Sequence, residues 1–267
     1  VSAAPGRIAL ACAGIGVLAY LLFPVCVVIG VSFSSSSFLT FPPPGLSLQW
    51  YRQFFSSPEW LRSYAITFEV GSATALLSLL LGVPTAFALS RWRGRGRGLV
   101  EALLLAALVT PPIIRAIALY LYYVPLHLID TIAGLVLAHT VTGVPYVVFN
   151  VMAGLRSYDR DLERAAIIHG ASPWQATVRV TLPALSPSVL VGAIFAFLQS
   201  AQELLVANFV LGTVEKPLAV QLWEGVRISL EPIIAAASSN LIALALLAFA
   251  AATLIEQQGR RRLAALA

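Results

Sequence analysis

The sequence predicts an all-α integral membrane protein with six transmembrane helices. Three observations carry that expectation. Hydrophobic residues make up 59% of the 267-residue chain and charged residues 11%, against about 25% charged in a soluble domain. Six apolar runs are each long enough to cross roughly 30 Å of hydrocarbon. The cations fall between those runs, and mostly on alternate connections.

The first run, Ile8 to Phe33, follows Arg7 and exceeds the usual apolar core of a cleaved signal, about 7–15 residues, so it is expected to be retained as a span. Cys12 and Cys26 both lie in it. Their separation along a helix is roughly 21 Å, beyond the ~7 Å Cα limit of a disulfide. The connection that follows, Ser34 to Tyr64, holds Trp50, Tyr51, Phe54, Phe55 and Trp60, which suit an interfacial helix at headgroup level. The second run is Thr67 to Leu89. The third, Leu99 to Tyr123, is interrupted by Pro111, Pro112 and Arg115, and its Tyr120, Tyr122 and Tyr123 suit an outer aromatic belt. Ile132 to Leu155, Ser186 to Leu211 and Ile234 to Ile255 complete the set. The last outer loop, Gly212 to Glu231, is polar enough to touch a partner.

Charge placement sets the orientation. Twelve arginines (Arg7, Arg91, Arg93, Arg95, Arg97, Arg156, Arg160, Arg164, Arg179, Arg260, Arg261 and Arg262) fall on one side, against Arg52, Arg62, Lys216 and Arg227 on the other. Both termini are therefore expected in the cytoplasm. The formal charge of +5 serves topology, and no nucleic-acid partner is expected.

The fourth connection, Arg156 to Leu185, is cytoplasmic in this orientation. Asp159 can cap a helix with Asp161 and Glu163 in its first turn. Gly170 suits its C-terminal stop. Ser172 then caps a second short helix with Pro173 at its first position, and Pro183 is expected to end it. Ala165, Ala166, Gly170 and Ala171 would let another surface approach the backbone, and Leu162, Ala166 and His169 share a face. From the residues alone, this is either a docking element or a surface helix lying on the bilayer.

Ionisable groups inside spans are costly and face a cavity or a partner. Counted at about 1.5 Å per residue, Arg115, His139, Glu203 and Asn240 lie roughly 22–26 Å from the cytoplasmic ends of their runs, with Gln199 and Gln202 expected on the face of Glu203. This layer either lines a solute path with Glu203 facing a cationic group, or contains an Arg115–Glu203 pair that ties two helices together. His139 alone is more often a packed, hydrogen-bonded residue than one that touches solute, and Tyr120 could reach the path. The three histidines are far apart, no zinc-ligand spacing or nucleophile elbow appears, and no metal site or catalytic residue is expected. The only lysine, Lys216, follows Glu215 and belongs to no phosphate-binding loop, so no ATPase activity of its own is expected.

The run Ala165-Ala166, three residues, Gly170, nine residues, Val180-Thr181-Leu182-Pro183 resembles the EAA loop of ABC importer permeases. Arg164 departs from it, standing at the place of that pattern's Glu, with Glu163 one residue earlier. "HTVTGVPYVVFNVMAGL" (His139 to Leu155) and "FAFLQSAQELLVANFVLG" (Phe195 to Gly212) resemble the fourth and fifth spans of permeases of the spermidine/putrescine type. The resemblance implies a type I ABC importer permease fold in the bacterial inner membrane. Residues 1–66 would be the first span and a periplasmic segment, 67–256 the permease domain with its coupling loop at 156–185, and 257–267 a basic cytoplasmic tail. It implies a second permease subunit as a heterodimer partner and a periplasmic substrate-binding protein. It also implies two ATPase subunits that hold ATP and Mg, with no cofactor on this chain. Asp161, Leu162, Glu163, Arg164, Ala165, Ala166, His169, Gly170, Ala171, Ser172, Pro173 and Trp174 would contact the ATPase. The solute would be a polyamine or a similar small organic cation. A self-contained secondary transporter or channel is the rival expectation.

Overall fold

The computed structural model describes residues 5–211, 215–228 and 231–264, and it is helical with no β-strand among them. The helices are α1 (Pro5–Ser32), α2 (Gln49–Ser56), α3 (Pro58–Arg91), α4 (Arg97–Val109), α5 (Pro112–Tyr123), α6 (Ile132–Ser157), α7 (Arg160–Ile168), α8 (Pro173–Ala176), α9 (Leu182–Ala184), α10 (Ser186–Gln202), α11 (Leu205–Val210), α12 (Leu218–Ile228) and α13 (Ile233–Ala264). They form two compact units: the chain up to Leu61 with Gln221–Leu244, and Arg62–Val220 with the chain from Ala245 on. Parts of the expected last outer loop (212–214 and 229–230) and of the expected basic tail (265–267) lie outside the described residues.

Among the described residues, four helical stretches are long and apolar enough to cross a membrane: Leu10–Ser32, Pro58–Arg91, Ile132–Ser157 and Ile233–Ala250. Two further pairs qualify only as bent spans, so the total reaches six if each bent pair is one crossing. This corrects two of the expected runs. The third bends by 103° between α4 and α5, because Pro111 and Pro112 supply no N–H to carry the helix onward. The fifth is not one helix: α10 stops at Gln202, Glu203 is extended at φ −75° and ψ 101°, and α11 starts afresh at Leu205.

In the first unit, three of the aromatics expected at headgroup level are buried in protein instead. Trp50, Phe54 and Trp60 are 8%, 1% and 9% exposed, and the Trp50 indole donates to the Ser34 carbonyl at 2.8 Å. Phe55 is exposed as expected.

In the second unit, α6 packs on α10 and α4, and α5 packs on α11. Lipid tails are as apolar as leucine, so such helices associate through close packing of small residues. Gly192, Ala196 and Ser200 form a buried row on α10. A Cβ on Gly192 would sit 3.0 Å from the Val147 Cα, and one on Gly82 of α3 would sit 2.8 Å from the Val147 side chain. Both backbones therefore reach α6 only as glycine. One core gathers around Ile66, Ala116, Leu135 and Val206, the other around Leu89, Val148, Met152 and Leu185. Tyr123 is 5% exposed in the first of these cores, so it leaves the expected aromatic belt to Tyr120 and Tyr122.

Candidate functional site

Two places in the second unit gather the chemistry, and α6 links them. His139 lies near one end of α6 and Ser157 ends the other, roughly 27 Å apart along a helix.

At the first place, two helix breaks meet. Pro111 cannot donate to the Ala107 carbonyl, which an unbroken helix would require. Arg115 Nη1 donates to that carbonyl instead, at 3.3 Å. Across from it, the break after Gln202 exposes the first N–H groups of α11, and Glu203 Oε1 accepts from the Val206 N–H at 3.4 Å. Arg115 Nη2 then donates to Glu203 Oε2 at 2.6 Å, with the side chains only 10% and 9% exposed. Each charged group mends its own broken helix, and the two neutralise each other. Irregular backbone at membrane depth is tolerated only where protein buries it or a cavity needs it.

The cluster extends along α10. Gln199 Nε2 donates to Glu203 Oε2 at 3.3 Å. His139 Nδ1 and Ser200 Oγ are hydrogen-bonded at 2.7 Å, and the histidine is 2% exposed. Polar capacity remains unmet: among the described residues, Arg115 Nε, Gln199 Oε1 and His139 Nε2 are buried without a partner. An open apolar groove of about 390 Å³ runs beside Arg115, lined by Thr110, Ile114, Leu119 and Tyr122 among others.

Of the residues expected in this layer, Arg115, Gln199 and Glu203 come together, and His139 joins through Ser200. The depth counted for Arg115 along a straight helix does not survive the 103° bend, yet its guanidinium still reaches Glu203. Gln202 is exposed and makes no such contact, because α10 ends there and the shared face with Glu203 is lost. Tyr120 is 40% exposed and packs edge-on against Phe209 at 6.3 Å. Asn240 belongs to the first unit, where its Nδ2 donates to the Ala236 carbonyl at 3.2 Å.

The second place is the connection from α6 to α10. Asp159 caps α7 by accepting from the Asp161 N–H at 2.9 Å. Gly170, at φ 95°, closes it: its N–H donates to the Ile167 carbonyl at 2.9 Å and the Ala171 N–H to the Ala166 carbonyl at 3.0 Å. These two bonds make a Schellman stop, which favours glycine at the left-handed position. Ser172 and Gln175 form a reciprocal capping box at the start of α8. Pro183 does not end the second helix as expected. A wide π turn, Thr177–Thr181, precedes it, helical geometry continues through α9, and the chain bends by 68° into α10. The wider turn carries the chain past a residue that has no N–H.

The capped loop buries little of itself. Helix α7 has no buried residue. Leu162, Ile168 and Trp174 are 48%, 83% and 75% exposed; Ala165, His169, Gly170, Ser172 and Pro173 are exposed, and Ala166 and Ala171 partly so. The loop is held to α3 by Arg91, whose Nη2 lies 2.6 Å from Glu163 Oε1 and 3.4 Å from Thr177 Oγ1. Thr181 Oγ1 donates to Tyr158 Oη at 3.3 Å. Arg164 faces outward and, among the described residues, pairs only with Asp161, at 2.7 Å. Arg91, Tyr158, Thr177 and Ser200 were not among the expected site residues. Their partners lie 23 to 86 positions away, and no local sequence signal reports such pairing.

Comparison with known proteins converges. Residues 78–261 match the family described as "Binding-protein-dependent transport system inner membrane component". The chain is 30% identical over 241 residues to the spermidine/putrescine transport system permease protein PotC of Escherichia coli (strain K12), covering 90% of each chain. It is 29% identical over 252 residues to the putrescine transport system permease protein PotI of the same strain, covering 91% of this chain and 89% of the other. A chain from the crystal structure of a bacterial ABC transporter involved in the import of the acidic polysaccharide alginate superposes with a TM-score of 0.69 at 18% identity, covering 95% of both.

Proposed function

Because this chain belongs to the binding-protein-dependent transport system inner membrane components, and is an ABC importer permease, we propose that it couples to separate ATPase subunits through the loop from Asp161 to Trp174. The observation that carries this reading is the loop's combination of rigidity and exposure. Every helix end in it is capped or stopped by its own residues, yet it offers Leu162, Ile168 and Trp174 to another surface. An isolated protein gains nothing by holding such side chains in water. Arg91 and Glu163 would pass displacement of the loop to α3, and the run from α8 into α10 would pass it to Glu203. ATP and Mg belong to the partner ATPases.

The orientation follows the arginine count, with both termini in the cytoplasm, the chain in a bacterial inner membrane and the loop on the cytoplasmic side. A second permease subunit completes the path and a periplasmic protein delivers solute. The solute is a polyamine or another small organic cation. That choice rests on the names of PotC and PotI and on Glu203, whose carboxylate a cationic solute could share with Arg115. The breaks, with buried and unmet polar atoms on Arg115, Gln199 and His139, resemble the discontinuous helices at which transporters hold solute.

Purification of the assembled complex tests the proposal. ATPase subunits are expected to copurify, and putrescine uptake into vesicles is expected to require ATP. Uptake by this chain alone, without ATP or an ATPase, would replace the proposal with a self-contained transporter.

A further inference from the structure

We propose that the first unit carries a binding site for a small alkylammonium cation, in the cleft between the start of α3 and the end of α12. The cleft has a volume of about 220 Å³ and is lined by Glu59, Trp60, Gln221, Glu224 and Glu231 together with Ile233 and Ile234.

Its chemistry turns on Gln221. The side-chain amide donates from Nε2 to Glu59 Oε1 at 2.8 Å. That contact fixes the amide orientation, since the reverse would set its oxygen against a carboxylate. Among the described residues, Gln221 Oε1 is then left as a buried acceptor with no donor, on a residue only 9% exposed. A buried polar atom without a partner costs about 1–3 kcal/mol, and such atoms are rare enough to require an explanation. Glu59 and Glu231 pair with no Arg or Lys among the described residues. An unmet acceptor in a wall shared with carboxylates calls for a ligand that brings both N–H donors and positive charge.

A metal ion fits poorly. Among the described residues no group of three His, Cys, Asp or Glu stands close enough to hold one. The remaining wall suits an alkyl chain bearing an amine. Trp60, Ile233 and Ile234 line the same wall; an aromatic ring attracts ammonium groups, and the isoleucines suit methylenes. The volume exceeds the ~30 Å³ share of a water molecule and falls below the ~300 Å³ at which drug-sized sites begin. The inference rests on the importer reading in one respect: the arginine count places this cleft on the outer face, where solute arrives. It would hold the cation before entry to the path, apart from Glu203.

Binding of radiolabelled putrescine to the assembled transporter in lipid nanodiscs, without nucleotide or binding protein, tests the site. Saturable binding is expected, with at least tenfold weaker affinity for Glu59→Gln and for Glu231→Gln and severalfold weaker affinity for Trp60→Phe. Glu215→Gln, at an outer carboxylate paired with Arg62, should bind as the unmodified protein does. Glu231 is exposed and outside the Gln221 hydrogen bond, so its variant decides the matter if Glu59→Gln fails to fold. Unchanged putrescine affinity in Glu231→Gln, or displacement of putrescine by equimolar Mg²⁺, would overturn the proposal. Copurification of the ATPase, scored in the same preparation, keeps the importer reading separately testable.

Discussion

Two arginine–carboxylate pairs in this chain have nearly the same geometry and opposite settings. Arg115–Glu203 closes at 2.6 Å with 10% and 9% exposure, and Arg164–Asp161 closes at 2.7 Å with 73% and 75%. Water competes for the second and has been excluded from the first. Breaking a buried pair strands a charge and costs about 3–5 kcal/mol, whereas exposed pairs contribute about 0–1 kcal/mol. The polar layer is thus a place where charge is fixed at high cost, and the loop between α6 and α10 a place where charge stays exposed.

The largest expected effect follows from the buried pair. Glu203→Gln or Arg115→Met alone should lower the unfolding free energy by about 3–5 kcal/mol, read as a fall in melting temperature in detergent. Exchanging the two charges (R115E with E203R) should restore only the pairing share of the stability, since a carboxylate at 115 cannot donate to the Ala107 carbonyl and a guanidinium at 203 cannot accept from the Val206 N–H. It should not restore uptake, because a cationic solute would then meet an arginine at position 203. Recovery of uptake as well would reduce the pair to a tie between helices.

Next comes Gly170→Val. No atom obstructs a side chain there, but φ is 95°, so the cost is about 1–2 kcal/mol of backbone strain, confined to the loop. Melting should change little, while copurification of the ATPase should fall severalfold.

Glu163→Gln should do less. Its bond to Arg91 is half exposed on the arginine side and is worth on the order of 1 kcal/mol. ATPase binding should survive, and uptake per ATP hydrolysed should drop as the loop loosens from α3. The smallest effect belongs to Arg164→Ala, within about 0.5 kcal/mol of the unmodified protein in unfolding measurements.

The contrast between the two places also explains what the sequence made legible. The loop could be read nearly to the residue, because caps, the Schellman glycine and the capping box act within a few positions: Asp159, Gly170 and Ser172 all stand in their expected roles. Pro111 and Pro112 announced an interruption, but neither its 103° angle nor the reach of Arg115 to the Ala107 carbonyl. Nothing local announced the break at Glu203, where residues 193–211 contain neither glycine nor proline. It is held by Arg115, 88 positions away. The aromatics of α2 misled because hydropathy does not distinguish lipid from protein as the apolar surrounding: Phe54 is 1% exposed in the fold. The link from Gln221 to Glu59 spans 162 positions, beyond any periodicity.

The most direct test of the account is a cross-link from the tip of the loop. Ile168→Cys is placed in a chain whose Cys12 and Cys26, the only native cysteines, are replaced by serine, and the assembled complex is treated with a short bifunctional thiol reagent. The account predicts a product joining this chain to a nucleotide-binding subunit, with a yield that changes when ATP is added. A cysteine that reacts only with impermeant reagent from the periplasmic side, or that joins no nucleotide-binding subunit, would contradict it.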